Sequence, residues 1–234
     1  MTPDTRKKQS SSRYRIPRPF LKWVGGKTQI LNELKESIRE FDGRYLEPFV
    51  GGGALFFEQR LSKATISDTN TELINCYVVV RDRVDDLIKA LGNHVYDKEY
   101  YYRVRALDPN AMDSVSRAAR MIYLNKAGFN GLYRVNSKGK FNVPFGRYKN
   151  PTICDADNLR GCSRALDKID ITCTPFPSVL ENAKKGDFVY FDPPYVPVSE
   201  TAHFTSYQKN GFSETDQKQL VEVFDELSRR RIHA

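Results

Sequence analysis

The sequence is poor in the residues that build metal centres and disulfide frames. Its 234 residues include four cysteines, Cys76, Cys154, Cys162 and Cys173, without a Cys-x-x-Cys pair, and three scattered histidines, His94, His203 and His233. Neither a zinc site nor a disulfide framework is suggested by that spacing, and no metal is expected. No apolar run approaches the length of a bilayer span, and the N-terminus lacks the apolar segment of a signal peptide. A soluble, cytoplasmic protein with no membrane partner is therefore expected. No internal repeat is visible. The most informative absence is of negative charge between Ser114 and Cys154. There Arg117, Arg120, Lys126, Arg134, Lys138, Lys140, Arg147 and Lys149 supply eight positive charges, equal to the net +8 of the whole chain. Solvated faces usually mix signs, so this stretch points to a polyanionic partner, nucleic acid first.

The length accommodates one domain with a large insertion or two small domains. Residues 1–18 are polar, basic and without periodicity, which predicts a disordered arm. A turn signal at Ser137-Lys138-Gly139, flanked by strand-like residues, predicts a hairpin within Gly128–Lys149. A basic hairpin laced with aromatics suits DNA, where Arg can pair with guanine, Leu or Pro can touch a thymine methyl, and Lys can meet phosphate.

What is present is organised around Gly186-Asp187-Phe188-Val189-Tyr190-Phe191-Asp192-Pro193-Pro194-Tyr195. The apolar run from Phe188 to Phe191 reads as a fully buried strand that ends in a carboxylate, two prolines and an aromatic ring. Such an end puts Asp192 at a cleft. An exocyclic amine on a planar ring is a poor nucleophile until acceptors draw its hydrogens out of the ring plane. An ionised Asp192 and the Pro193 carbonyl are two such acceptors, Pro194 stiffens the chain, and Tyr195 offers a face on which a base can stack.

Upstream, Gly25-Gly26-Lys27-Thr28 imitates the end of a phosphate-binding loop, but the pattern needs glycine at position 21, where Leu21 stands. Trp23 beside it reads equally well as core or as ligand contact. The segment Arg44–Phe57 reads as strand, glycine turn and helix; it fails the dinucleotide pattern because position 56 is Phe. A second strand, Ala64–Ser67, ends in Asp68. A carboxylate there, beside a glycine turn at the tip of the preceding strand, is how nucleoside-binding sheets hold ribose hydroxyls, although Asp68 also reads as a helix cap. Helices are expected over Val80–Leu91 and Ser114–Ala127, a third strand over Ile169–Thr174, and a last helix capped by Ser213.

Asp192-Pro193-Pro194-Tyr195 resembles the catalytic motif of amino-directed methyltransferases that use S-adenosylmethionine, in which Asp at the first position goes with adenine N6, Ser more often with cytosine N4 and Asn with protein glutamine. From Arg18 to about Leu227 the ordered segments together resemble the Dam-like, D12 class of DNA adenine N6-methyltransferases. That resemblance implies a doubly wound α/β sheet with an inserted helical and hairpin recognition domain. The expected division is catalytic segments 19–74 and 166–234 around an insert 75–165. It implies S-adenosylmethionine as cofactor, held by Trp23, Lys27, Phe49, Gly51, Gly53, Asp68 and Asp192, with Asp192, Pro193, Pro194 and Tyr195 catalytic. It implies double-stranded DNA as partner and GATC as target. Arg134 stands at the guanine-reading position, Leu132 and Pro144 at thymine-methyl contacts, Tyr148 and Lys149 at backbone contacts, and Lys22 at an outer-guanine contact. Phe129 and Asn130 match positions that handle the space left by a flipped base. A cognate restriction endonuclease is a further partner the family allows. The rival readings are a cytosine-N4 or protein-glutamine methyltransferase and a non-catalytic DNA-binding remnant of the fold. Relatives continue beyond Leu227 with further strands, so a sheet lacking its last strands is expected, with β-edge exposure, low stability and little activity.

Overall fold

A four-stranded parallel sheet is built from β1 (Tyr45–Glu47), β2 (Ala64–Ser67), β3 (Asp170–Thr172) and β4 (Phe188–Val189), in spatial order β3-β2-β1-β4. The structure, a computed structural model, describes residues 16–27, 30–38, 40–194 and 212–234. Leu46 of β1 pairs with Thr65 on one side and with Val189 on the other. Because strand side chains alternate, Tyr45, Ile66 and Phe188 enter one apolar cluster, while Leu46 and Val189 enter a second. Both faces of the sheet are thus covered, as a parallel sheet requires.

The helices are α1 (Leu31–Ser37), α2 (Ala54–Gln59), α3 (Thr71–Asp82), α4 (Val84–Gly92), α5 (Lys98–Ala106), α6 (Ser114–Ala127), α7 (Ala156–Leu166), α8 (Val179–Asn182) and α9 (Glu214–Arg229). Leu55 of α2, Leu73 of α3, Leu87 of α4, Ile122 of α6 and Leu159 of α7 lie buried in the same cluster as Ile66. On the other face, Val223 and Leu227 of α9 close over Leu46, Phe176 and Val189. A third cluster joins Tyr101 and Val104 of α5 to Tyr123 and Leu124 of α6, with Phe141 and Phe145 of the hairpin packed against it. Local chemistry sets the helix starts. The Asn70 side chain accepts from the Glu72 and Leu73 amides, Asp113 does the same for α6, and Ser213 and Asp216 form a reciprocal box at α9. Each such cap stabilises its helix by about 1 kcal/mol.

Three expectations need correcting. The helix expected over Val80–Leu91 is two helices, broken at Arg83 (φ −137°, ψ 36°), which lets α4 turn Leu87 and Leu91 into the core. The strand expected to be fully buried from Phe188 to Phe191 pairs as β4 over two residues only; Tyr190 still donates to the Leu46 carbonyl (2.8 Å), but Phe188, Tyr190 and Phe191 are half-buried as the chain leaves the sheet at a crevice. The outer edge of β4 is not bare either. The Val189 amide donates to the His233 carbonyl (2.8 Å), Phe188 and His233 form a parallel bridge, and Ile232 is buried against Leu46 and Val189.

In the hairpin, Asn136 donates to the Lys140 carbonyl (2.9 Å), and the left-handed Gly139 (φ +72°) donates back to that of Asn136 (2.8 Å). Val135 and Phe141 bridge antiparallel above the turn. Among the described residues, no helix is long and apolar enough to cross a membrane.

Candidate active site and nucleic-acid interface

From β1 the chain steps outward to β2 and β3, then returns to place β4 on the other side of β1. The order reverses between β1 and β4, and the crevice beyond the carboxyl ends of those strands is where open parallel sheets hold ligands. Two segments singled out in the sequence meet there: the glycine turn after β1 and Asp192-Pro193 after β4.

Physical constraint at the turn is severe. Gly51 (φ +47°) and Gly53 (φ +67°) are left-handed, and a Cβ would come 2.8 Å from Cδ1 of Trp23 at the first and 2.5 Å from the Tyr77 hydroxyl at the second. Tyr77, fully buried on α3, donates to the Gly51 carbonyl (3.0 Å), and Asp68 Oδ2 accepts from the Gly51 amide (3.3 Å). The turn is therefore pinned from both sides, with Gly51 and Gly53 buried under the Trp23 and Tyr77 side chains. Asp68 Oδ1 also accepts from the Asn70 amide (2.9 Å), while the cap of α3 is the Asn70 side chain. Burial raises the Asp68 pKa, opposed by the amides of Asn70, Gly51 and Thr69. Phe49 points elsewhere. It stacks on Phe176 (centroids 5.2 Å apart) and touches Phe191 and Phe212 edge-on, within the aromatic packing of the second sheet face.

Lys27 reaches across the crevice. Its Nζ lies 2.5 Å from Asp192 Oδ1 and donates to the Gly25 carbonyl (2.9 Å). Burial raises the Asp192 pKa, and the hydrogen bond and charge of Lys27 act against that rise. Sequence reasoning missed a third carboxyl nearby. Glu47, at the end of β1, is 3% exposed and accepts from the Tyr45 hydroxyl (2.9 Å). Burial pushes its pKa up to about 8, against the Tyr45 hydrogen bond and with added repulsion from Asp192. The one available signal was an acidic residue closing an otherwise apolar strand. Pro193 and Pro194 follow Asp192; Tyr195 lies outside the described residues.

The second group of expected residues collects on the adjoining face. Lys22 Nζ sits over the Tyr148 ring (4.9 Å to the centroid), and the Tyr148 hydroxyl donates to the Gly128 carbonyl (3.1 Å). The Phe129 amide donates to the Pro144 carbonyl (2.9 Å), and that of Leu132 to the Phe129 carbonyl (3.2 Å). Phe129 is 47% exposed, and Asn130 is exposed and left-handed (φ +53°), a conformation Asn tolerates better than most residues. Lys149 is exposed beside Tyr148, and Arg134 is held by Asn142 across the hairpin. The two groups are joined physically. Trp23 stacks on Tyr133 (5.4 Å, 22° between planes), and Asn125, buried on α6, bonds both Lys22 and Gly131.

The basic stretch also needs correction. Arg117 pairs with Glu72, and Arg120, 5% exposed, donates to the carbonyls of Val104 (3.1 Å) and Arg105 (2.9 Å). Those two cations serve packing, leaving Lys126, Arg134, Lys138, Lys140, Arg147 and Lys149 as candidates for an external polyanion. A cavity of about 640 Å³ lies between the Pro17–Trp23 segment, α2, α6 and the start of α7. It shares Trp23 and Gly52 with the crevice, but Asp68 and Asp192 do not line it.

A parallel sheet with a switch point, a tight glycine turn and strand-end carboxylates beside an aromatic, basic hairpin is the architecture of an α/β protein whose ligand site lies at the carboxyl ends of its strands. Residues 23–234 match the family described as D12 class N6 adenine-specific DNA methyltransferase, and the chain belongs to that family. It is 48% identical over 223 residues to the type II methyltransferase M1.LlaDCHI of Lactococcus lactis subsp. cremoris, covering 92% of this chain and 78% of that protein. It is 45% identical over 234 residues to the type II methyltransferase M.MjaIII of Methanocaldococcus jannaschii, covering 91% and 81%. The DNA adenine methylase of Escherichia coli K12 is 36% identical over 219 residues, covering 92% and 78%. The chain is thus a DNA adenine methyltransferase by family, and DNA is its substrate class.

Proposed function

We propose that the chain transfers the methyl group of S-adenosylmethionine to N6 of an adenine turned out of duplex DNA, within GATC. The observation that carries this reading is Asp192, held by Lys27 just beyond β4, whose neighbour β1 runs into the glycine turn pinned by Asp68 and Tyr77. The donor set fits the cofactor. Asp68 keeps acceptor capacity for ribose hydroxyls, and Trp23, packed against the glycine turn, offers a flat wall. When bound, the cofactor supplies a methyl already activated on a sulfonium sulfur.

In this reading the protein's own groups do the rest. Asp192 and the Pro193 carbonyl accept hydrogen bonds from the exocyclic amine and free its lone pair from conjugation with the ring. Lys27 opposes the rise that burial imposes on the Asp192 pKa and so favours its ionised form. Alignment of amine and methyl supplies most of the acceleration. Residues 75–165 serve as the recognition insert around the hairpin. Arg134 reads guanine, Leu132 and Pro144 meet thymine methyls, and Lys22, Tyr148 and Lys149 orient the duplex. Phe129 and Asn130 occupy the gap left by the base, and a restriction endonuclease of the same target is a partner this reading allows.

The experiment is methyl transfer from labelled S-adenosylmethionine to duplexes with and without GATC, with Asp192→Ala as control. Label on adenine N6 of GATC alone, lost in the variant, is expected. Label at another sequence overturns the target, label on cytosine overturns the base, and duplex binding without transfer identifies a non-catalytic remnant.

A further inference from the structure

Asn142 faces Arg134 across the hairpin and grips it at both ends. The Asn142 amide donates to the Arg134 carbonyl (2.9 Å), while Arg134 Nε donates to Asn142 Oδ1 (2.7 Å) and Nη2 to the Asn142 carbonyl (3.3 Å). A guanidinium is a rigid planar fork of five donors. Docking its Nε and Nη2 side on two oxygens of one residue uses two of the five and fixes the plane. What is left over, Nη1 and the second hydrogen of Nη2, is the end of the fork, and among the described residues Nη1 has no hydrogen-bond partner. The end of the fork carries two parallel donors, the pattern that matches O6 and N7 of a guanine edge. Both residues are half-buried, so solvent competes only partly for these bonds.

We propose that Asn142 is a specificity-determining positioning residue: it presents the end-on edge of Arg134 to the DNA major groove and sets how strongly guanine is preferred at one base pair of the target. This rests on the reading of Arg134 as the guanine contact. Without the Asn142 Oδ1 only the longer bond to the main-chain carbonyl remains, so the Arg134 side chain regains rotamers and its donors become available to phosphate or to other bases. Asn142 itself needs no contact with the duplex in this arrangement.

The test is the transfer rate (kcat/KM) on the GATC duplex and on duplexes altered at each target base pair in turn, for the wild type, Asn142→Ala, Asn142→Asp, Arg134→Ala and the double variant, with melting temperature recorded for each. Asn142→Ala is expected to lower discrimination about tenfold at the base pair that Arg134→Ala also relaxes, and at no other. Asn142→Asp, which keeps the acceptor, restores the preference, and the double variant discriminates no worse than Arg134→Ala. Uniform weakening on every duplex, or unchanged discrimination in Asn142→Ala while Arg134→Ala loses it, overturns the inference and leaves the Arg134 reading intact. If Arg134→Ala itself leaves base preference untouched, the reading beneath the inference fails as well.

Discussion

Asn125 and Lys22 exchange two main-chain hydrogen bonds: Oδ1 accepts from the Lys22 amide (2.8 Å), and Nδ2 donates to the Lys22 carbonyl (2.9 Å) and also to that of Gly131 (2.7 Å). One buried amide side chain thereby joins the segment that carries Trp23 and Lys27 to the segment that carries Phe129–Arg134. A carboxylate or an aliphatic group cannot reproduce this set, since it needs one acceptor and two donors. Asn125→Ala is expected to cost about 1–3 kcal/mol of stability, because an amide and two carbonyls lose their partner in a buried place. Asn125→Asp, with no donor for the two carbonyls, should be at least as damaging. Urea unfolding of the three proteins checks this, and a loss below about 0.5 kcal/mol for Asn125→Ala contradicts it.

Lys27 and Asp192 make a pH prediction. Burial is the largest influence on Asp192 and raises its pKa; Lys27 is what opposes it. In Lys27→Met that opposition is gone, so the Asp192 pKa rises further and at any given pH more of the carboxyl is protonated and useless as an ionised acceptor. The acidic limb of the kcat–pH profile, taken at saturating cofactor and DNA, should move to higher pH, and Lys27→Arg should move it less. An unmoved limb in Lys27→Met would show that Asp192 does not govern it.

Asp187 makes a stability prediction remote from the crevice. Its carboxylate, buried before β4, accepts from the Arg44 amide (2.8 Å), from Arg44 Nη2 (2.8 Å) and from the Lys184 amide (3.0 Å). Burial works to raise its pKa, but the bonds from Arg44 and Lys184 outweigh it and hold the pKa below the usual carboxylate value. A depressed folded-state pKa contributes stability that is present above the unfolded value, about 3.9, and lost as pH falls through the folded value. Asp187→Asn should therefore cost about 1–3 kcal/mol near neutral pH, and the deficit should shrink as pH falls below the unfolded value. A deficit that stays constant with pH would show that the cost comes from shape alone.

Much of this site was legible in the sequence because its determinants are local. A left-handed turn demands Gly51 and Gly53 whatever surrounds them, an apolar run closed by Asp192-Pro193-Pro194 announces a strand end, and Ser137-Lys138-Gly139 announces a hairpin. Sequence also dictated the caps, since Asn70, Asp113 and Ser213 act on amides two or three residues away. Tertiary structure decided what depends on partners distant in the chain. Glu47 became a buried, weakly acidic carboxyl because the closed sheet takes it out of water and Asp192 lies near it, with the Tyr45 hydrogen bond acting against that rise. Arg120, counted in the sequence as surface charge, became a packing cation because α5 turned two carbonyls toward it. Phe49 went into an aromatic stack because Phe176 and Phe212, more than a hundred residues later, meet it there. Composition fixes which groups must be satisfied; only the fold decides which neighbour satisfies them, and at what cost in desolvation.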